Sequence, residues 1–513
     1  MGEIAINPIH NVHKKYRDMH LVNPYRFAPA IPPFVSTWNT ANTSSGSSTS
    51  TQVKLPLISA GTYNFIVQWG DGNSDTITVW NQAQTTHTYA TSGTYTITIT
   101  GICTGFQFNN TGDRLKFLSI QSFGILKINN SYGFSGCSNL TLSSVSDVLD
   151  CKNSILQGLF LNCTSLGVIA LSNTWDVSFN TSFNQMFKGC PSFNSNISSW
   201  NTSSATNITG MFTACTSFNQ NIGSWNVSNC TSLHEVFSGC TNFNQNIGSW
   251  NVSNCTSLSA TFTSCTSFNQ NIGNWNVSKV TNMGSTFAGC TAFNNGGNSS
   301  ISSWTTTLLN NCASTFSGCT NFNQPINWNM SNVTTMDSMF GSNTYGGCTS
   351  FNQNIGSWNV SNCTSFRYMF VYCTAFNNGG NSSISSWTTT LLNNCFATFY
   401  GCTNFNQPIN WNMSNVTTMY YMFGNCTSFN QNIGSWNVSK VTVMDAFMVG
   451  KSAANFSSAN LDAIYNGWSA LAGGVKPSIN INFGTIKYTA GASAGRAILT
   501  GAPNNWVITD GGI

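Results

Sequence analysis

Cys215-Thr-Ser-Phe-Asn-Gln-Asn-Ile-Gly-Ser-Trp-Asn-Val-Ser-Asn-Cys-Thr-Ser-Leu-His-Glu-Val-Phe-Ser-Gly239 is one unit of a repeating text, and Cys240 opens the next. Tryptophan marks the period. Trp175, Trp200, Trp225, Trp250 and Trp275 stand 25 residues apart, and Trp304, Trp328, Trp358, Trp387, Trp411 and Trp436 follow at steps of 24 to 30. About eleven units therefore cover 173–447. A fixed period in this range predicts a stacked solenoid, whose units bury their apolar face only against their neighbours. Within the unit, Ile222, Trp225 and Val227 suit a short extended segment, and Leu233, Val236 and Phe237 have the i, i+3, i+4 spacing of one helical turn. The Asn and Ser clusters between them suit tight corners, because their side chains bond their own backbone and tolerate left-handed conformations.

A longer duplication overlies the short one. Thr291 to Met336 recurs almost letter for letter as Thr374 to Met419, one block of 83 residues later. A stack that grows by whole units tolerates such copying, because a new unit meets neighbours that resemble its old ones.

Only 6% of residues are charged while 41% are hydrophobic, and the formal net charge is +4. The chain can bury a core beneath an uncharged Asn, Ser, Thr and Gln surface, so it is not a disordered polar chain. Nucleic-acid binding is not expected, because phosphate neutralisation needs clustered Lys and Arg that the repeats lack. Of the nineteen cysteines, Cys163, Cys190, Cys215, Cys240, Cys265, Cys290, Cys319, Cys348, Cys373, Cys402 and Cys426 share one place in the unit and predict a buried ladder. Cys230, Cys255 and Cys363 exchange with Val280, Val333, Val416 and Val441, which marks a small apolar site for free thiols. There is no C-x-x-C pair to suggest zinc or thioredoxin chemistry.

The string Phe-Asn-Gln-x-Ile-x-x-Trp-Asn-Val-Ser-x-Val-Thr-x-Met-x-x-x-Phe-x-x-Cys, complete from Phe268 to Cys290, resembles the BspA-like leucine-rich-repeat surface proteins. Members more often have Ala at the position of Cys290 and Asp at that of Asn276. The tail, with Leu461-Asp-Ala-Ile-Tyr-Asn-Gly-Trp468 and Asn505-Trp-Val-Ile-Thr-Asp-Gly-Gly512, resembles the family's usual ending, and 453–513 is expected to cap the stack. Ahead of the repeats, Tyr63-Asn-Phe-Ile-Val-Gln-Trp69 and Thr94-Tyr-Thr-Ile-Thr-Ile-Thr100 alternate as half-buried strands. Trp69-Gly-Asp-Gly followed by His87-Thr-Tyr89 resembles a polycystic-kidney-disease-type domain, an immunoglobulin-like β-sandwich. The expected fold is a mainly β repeat protein with five parts: an extended arm at 1–33, the sandwich at 34–103, degenerate first coils at 104–172, a leucine-rich-repeat-type solenoid at 173–452 and the cap at 453–513. Each coil is expected to hold one short strand and a short helical turn.

The arm is rich in proline, and Tyr16, Arg17, Tyr25, Arg26 and Phe27 are its candidates for docking onto a partner. No apolar core of a secretory signal stands at the N-terminus and no membrane span is expected. Both recognisable modules resemble outward-facing domains, which points to a virion component. The expected function is a non-enzymatic bacteriophage head or tail fibre or spike. Capsid or tail proteins would hold the arm, and an Asn/Ser/Thr/Trp surface would meet a host glycan or protein. A homo-oligomer, with a trimer favoured, is expected, and the alternative is a BspA-like adhesin on a bacterial cell surface. His234 and Glu235 are adjacent, yet neighbouring units place Ser259 and Ala260 there, so no catalytic, metal or cofactor site is expected; Asp71 is read as a hairpin-turn residue.

Overall fold

The computed structural model describes residues 31–471 and 474–513. Tyr16, Arg17, Tyr25, Arg26 and Phe27 lie outside the described residues. The chain is a loop-rich repeat protein with small sheets and few helices.

The N-terminal module holds β1 (Phe34–Asn39), β2 (Gln52–Lys54), β3 (Tyr63–Gln68), β4 (Ser74–Ile77), β5 (Thr86–Thr88), β6 (Thr94–Cys103) and β7 (Phe117–Ser122). Alternation decides the faces: Tyr63, Phe65 and Val67 turn inward while Asn64, Ile66 and Gln68 face out. One antiparallel sheet runs in the order β4-β3-β6-β1-β7, and β2 pairs separately with β5. The expected boundary at 103 therefore cuts the sheet, because β7 pairs with β1 from Val35↔Ser122 to Trp38↔Phe117. Fully buried Lys116 ties the 48–52 turn to this sheet: its ammonium donates to the carbonyls of Ser48, Thr49 and Gln52 at 2.7–2.9 Å and lies 3.6 Å from Asp113.

In the repeats, the expected helical turn is absent. Backbone N–H groups of Leu233, Glu235, Phe237 and Gly239 donate to the carbonyls of Ser257, Ser259, Thr261 and Thr263 in the next repeat at 2.7–3.2 Å, while Val236, Ser238 and Cys240 bond three residues back. Alternating between the two sets requires left-handed backbone. Glu235, Ala260, Ser285, Ser314 and Ala446 have φ between 53° and 56°, and Gly189, Gly239, Gly289, Gly318 and Gly401 have φ between 71° and 76°. The expected strand is also displaced: parallel bridges fall at Ser232↔Ser257 and Ser257↔Asn282, not beside the tryptophans. Periodicity alone misled here, since a 3.6-residue pattern also fits a chain that folds back every second residue.

Each word of the repeat is a contact with the preceding repeat. The indole N–H of Trp225, Trp250, Trp275, Trp328, Trp358, Trp411 and Trp436 donates to the carbonyl of the isoleucine one repeat back at 3.0–3.2 Å. Those indoles are 2–4% exposed, which removes tryptophan from the displayed surface. Asparagine makes the outer row: the backbone N–H of Asn244 donates to Asn219 Oδ1, that of Asn269 to Asn244 Oδ1 and that of Asn294 to Asn269 Oδ1, all at 2.8–3.0 Å. Two phenylalanine columns fill the interior. Phe212, Phe237, Phe262 and Phe287 stack at 5.7–5.9 Å, and Phe218, Phe243, Phe268 and Phe293 at 5.9–6.0 Å.

All nineteen cysteines are buried and free. Cys240, Cys265 and Cys290 each donate an S–H to the phenylalanine carbonyl of the preceding repeat at 2.8–2.9 Å. That same carbonyl already accepts a backbone N–H within its own repeat, as Phe237 does from Cys240. The thiol thus fills a second lone pair that alanine would leave empty. In the final repeat Lys451 takes the place of cysteine, and its buried ammonium donates to the carbonyls of Thr427 and Phe429. Beyond it, Met444 bridges to Ile481 and the Trp468 indole donates to the Ile433 carbonyl, so the last part of the chain continues the same rows. A hairpin of β8 (Gly341–Ser342) and β9 (Gly346–Gly347) interrupts the repeats, and the C-terminal part holds α1 (Ser458–Ser469), β10 (Asn480–Asn482), α2 (Ser493–Thr500) and β11 (Val507–Thr509). No helix of the described residues is long and apolar enough to cross a membrane.

Candidate binding site

The face that carries the left-handed residues is paved mostly with small side chains. At the position of His234 stand Ser259, Gly284 and Ala313, and at that of Ser238 stand Thr263, Ala288 and Ser317. Three successive repeats break this rule. Tyr368, Tyr372, Phe396, Tyr400, Tyr420 and Tyr421, with Ala397 and Asn343 of the β8–β9 hairpin, line a cleft of about 400 Å³. Its rings meet mostly edge to face: Tyr372 and Tyr400 at 5.3 Å and 67°, Tyr400 and Tyr421 at 5.3 Å and 78°, and Tyr368 and Phe396 at 5.0 Å and 75°. Phe396 and Tyr420 lie nearly parallel at 4.9 Å. Asn425 donates to the Tyr400 hydroxyl at 3.2 Å, which fixes that ring. Arg367 lies at the rim, its guanidinium 4.8 Å from the Tyr368 centroid. Partial burial, the neighbouring Tyr421 phenol and, more weakly, the Asp445 carboxylate one repeat away push the Tyr420 phenol up.

Two observations separate this cleft from ordinary surface. The first is the bulk of the side chains carried on left-handed backbone. Tyr368, Tyr372 and Tyr421 have φ of 57°, 58° and 55°, a conformation that costs a bulky L-residue about 1–2 kcal/mol. Tyr372 occupies the place that Gly239, Gly289, Gly318 and Gly401 hold in other repeats. Replacing Tyr372 by Gly exchanges that strain for about 0.5–1 kcal/mol of backbone entropy. The expected result in urea titration is a variant at least as stable as the parent, and a loss of more than about 1 kcal/mol would show that the half-exposed ring serves packing.

The second observation is the pattern of divergence between the copied blocks. Thr291–Met336 and Thr374–Met419 differ at three places: Ala313 against Phe396, Ser314 against Ala397 and Ser317 against Tyr400. All three of the second copy's residues line the cleft. The next two residues continue the trend, with Asp337 and Ser338 answered by Tyr420 and Tyr421. Aromatic divergence inside an otherwise unchanged copy was the available sequence signal, and reading the repeats for what they share passes over it.

The sequence-predicted residues lie elsewhere. The ladder thiols Cys215, Cys240, Cys265, Cys290, Cys319, Cys348, Cys373, Cys402 and Cys426 are interior, beneath the same face. Glu235 accepts from Lys188 at 3.1 Å, with His234 at 3.5 Å. The Asp71 carboxylate accepts from His87 at 2.8 Å and from Asn73, which occupies it as a turn residue. Among the described residues no group of His, Cys, Asp and Glu is arranged to hold a metal ion.

No curated protein and no solved structure matches this chain. One family does, described as "Mycoplasma protein of unknown function, DUF285", over 153–259, 221–300, 296–383 and 378–466, segments that overlap as tandem repeats do and run without a gap from 153 to 466. More than half of the 513 residues being matched, the chain belongs to that repeat family.

Proposed function

We propose that this protein is a non-enzymatic attachment protein, a fibre or spike on a virion surface, that meets a host glycan through the aromatic cleft on its repeats. The observation that carries the reading is the copied block whose divergent positions all line that cleft. Aromatic faces suit the C–H faces of sugar rings, and phenol, amide and carboxylate groups at the margin suit their hydroxyls. On this reading the repeats form a leucine-rich-repeat-like solenoid, supported by the unbroken asparagine row and by the tryptophan row, which from Trp200 to Trp436 lapses only where the Trp304 indole finds no acceptor. The N-terminal module is a polycystic-kidney-disease-type sandwich, supported by the five-stranded antiparallel sheet with its separate β2–β5 pair. The arm at 1–33 is the proposed anchor to capsid or tail proteins, and a trimer would multiply a weak contact. The second reading, an adhesin on a bacterial cell, is favoured by the family's description, which names a bacterium. Immunogold labelling of particles and of cells separates the two.

The cleft itself is tested on a glycan array followed by calorimetry. Tyr400→Ala combined with Tyr420→Ala removes two stacking walls and is expected to weaken binding on the order of 100-fold. Undiminished glycan binding by that variant would place the contact elsewhere.

A further inference from the structure

We infer that the sugar this cleft receives carries a carboxylate, seated on Arg367; the inference rests on the glycan reading above. Arg367 is the one arginine between residues 115 and 495. Equivalent positions in other repeats hold His234, Ser259, Gly284, Ala313, Phe396 and Tyr420, so the repeat does not itself call for a cation there. The guanidinium lies over two rings of the cleft, 4.8 Å from the Tyr368 centroid and 5.7 Å from that of Phe396. Stacking of this kind holds the planar cation in place while leaving its N–H edges free.

Those edges have no acceptor among the described residues. The carboxylate one repeat back, Asp337, is engaged elsewhere: its Oδ1 accepts from the Arg367 backbone N–H at 3.1 Å and from the Ser365 hydroxyl at 2.5 Å. No carboxylate of the described residues lies within ion-pair distance of the Arg367 guanidinium. Asp445, at the equivalent position beyond Tyr420, stands at the opposite end of the row, three repeats from Arg367. A sugar lying across Phe396 and Tyr420 would thus have a carboxylate-accepting fork at one end and a hydroxyl-accepting carboxylate at the other. A planar guanidinium fork matches a carboxylate in bidentate fashion, which a neutral sugar cannot exploit.

The test pairs oligosaccharides ending in glucuronate or a sialic acid with their neutral counterparts and measures binding by calorimetry at low and moderate salt. The full chain is expected to prefer the acidic member at least tenfold. Arg367→Gln is expected to abolish that preference, the two members then binding alike, at an unchanged melting temperature. Equal binding of both members by the parent chain, or a preference that survives Arg367→Gln, overturns the inference and leaves the glycan reading standing. If neither member binds and Tyr400→Ala with Tyr420→Ala leaves attachment to target cells unchanged, both fall together.

Discussion

Raising the pH from 8 to 10.5 at 25 °C is expected to unfold the protein cooperatively, without heat or denaturant. The cause is the thiol ladder. Burial pushes Cys190 and Cys426 up from an ordinary 9.0 to about 12. It pushes Cys163, Cys215, Cys240, Cys265, Cys290, Cys319, Cys373 and Cys402 up further. A thiol raised in the fold gives stability that is fully present below the unfolded value and is lost as pH climbs from there towards the folded one. Unfolded chains release those protons near pH 9 and folded chains do not. Each thiol therefore costs about 1.4 kcal/mol per pH unit above 9. Ten together remove on the order of 14 kcal/mol by pH 10, comparable with the whole stability of an ordinary domain.

Two groups work the other way. Burial depresses Lys451 to about 8 and pulls Lys116 below its ordinary value, so the fold gains between pH 8 and the ordinary lysine value, but Lys451 offsets only about 3 kcal/mol against ten thiols. Tryptophan fluorescence against pH gives the midpoint, and replacing five ladder cysteines by alanine is expected to move it upward. Ellman's reagent supplies the companion reading at pH 8: no reactive thiol in the native chain and nineteen in guanidinium. A native fold that persists at pH 12 would mean that the ladder sulfurs are not shielded from water.

The legibility of this chain follows the same division. Trp225, Phe218 and Cys215 recur because each must meet its own copy in the adjacent repeat, so period and register could be read directly from the letters. Local conformation could not. Leu233, Val236 and Phe237 have helical spacing, yet Glu235 and Gly239 between and beyond them take left-handed backbone that lets alternate N–H groups reach the next repeat. Spacing reports which side chains face inward, not where the amides point. The cleft was hidden for the opposite reason: Tyr368, Tyr400 and Tyr421 are departures from the repeat, and only the neighbouring repeats bring them together.

Excising residues 291–373, which joins Cys290 to Thr374, is expected to leave a folded protein that has lost its ligand. The junction is prepared in advance by the copying. Asn294 donates its backbone N–H to Asn269 Oδ1 at 2.8 Å, and Asn377 donates to Asn352 Oδ1 at the same distance. Ile272 donates to Asn295 Oδ1 at 2.9 Å, and Ile355 to Asn378 Oδ1 at 2.9 Å. Buried Thr315 and Thr398 make matching bonds, to the carbonyls of Met283 and Phe366 at 3.0 and 3.1 Å. After excision Thr374 and its followers would meet the partners that Thr291 and its followers had. In a stack whose stability is a sum of nearest-neighbour terms, the melting temperature should shift by no more than about 5 °C. Removing 320–331 instead deletes Phe322, Ile326 and Trp328 and leaves their columns with a gap, so that far shorter deletion should abolish soluble folded protein. The 83-residue excision also takes Arg367, Tyr368 and Tyr372 and sets Tyr400 opposite Gly289, opening one wall of the cleft. Glycan binding should drop below detection while circular dichroism keeps the parent's shape. Retained binding would show that the ligand does not use this cleft, and a collapsed fold would show that contacts between repeats reach further than the adjacent unit.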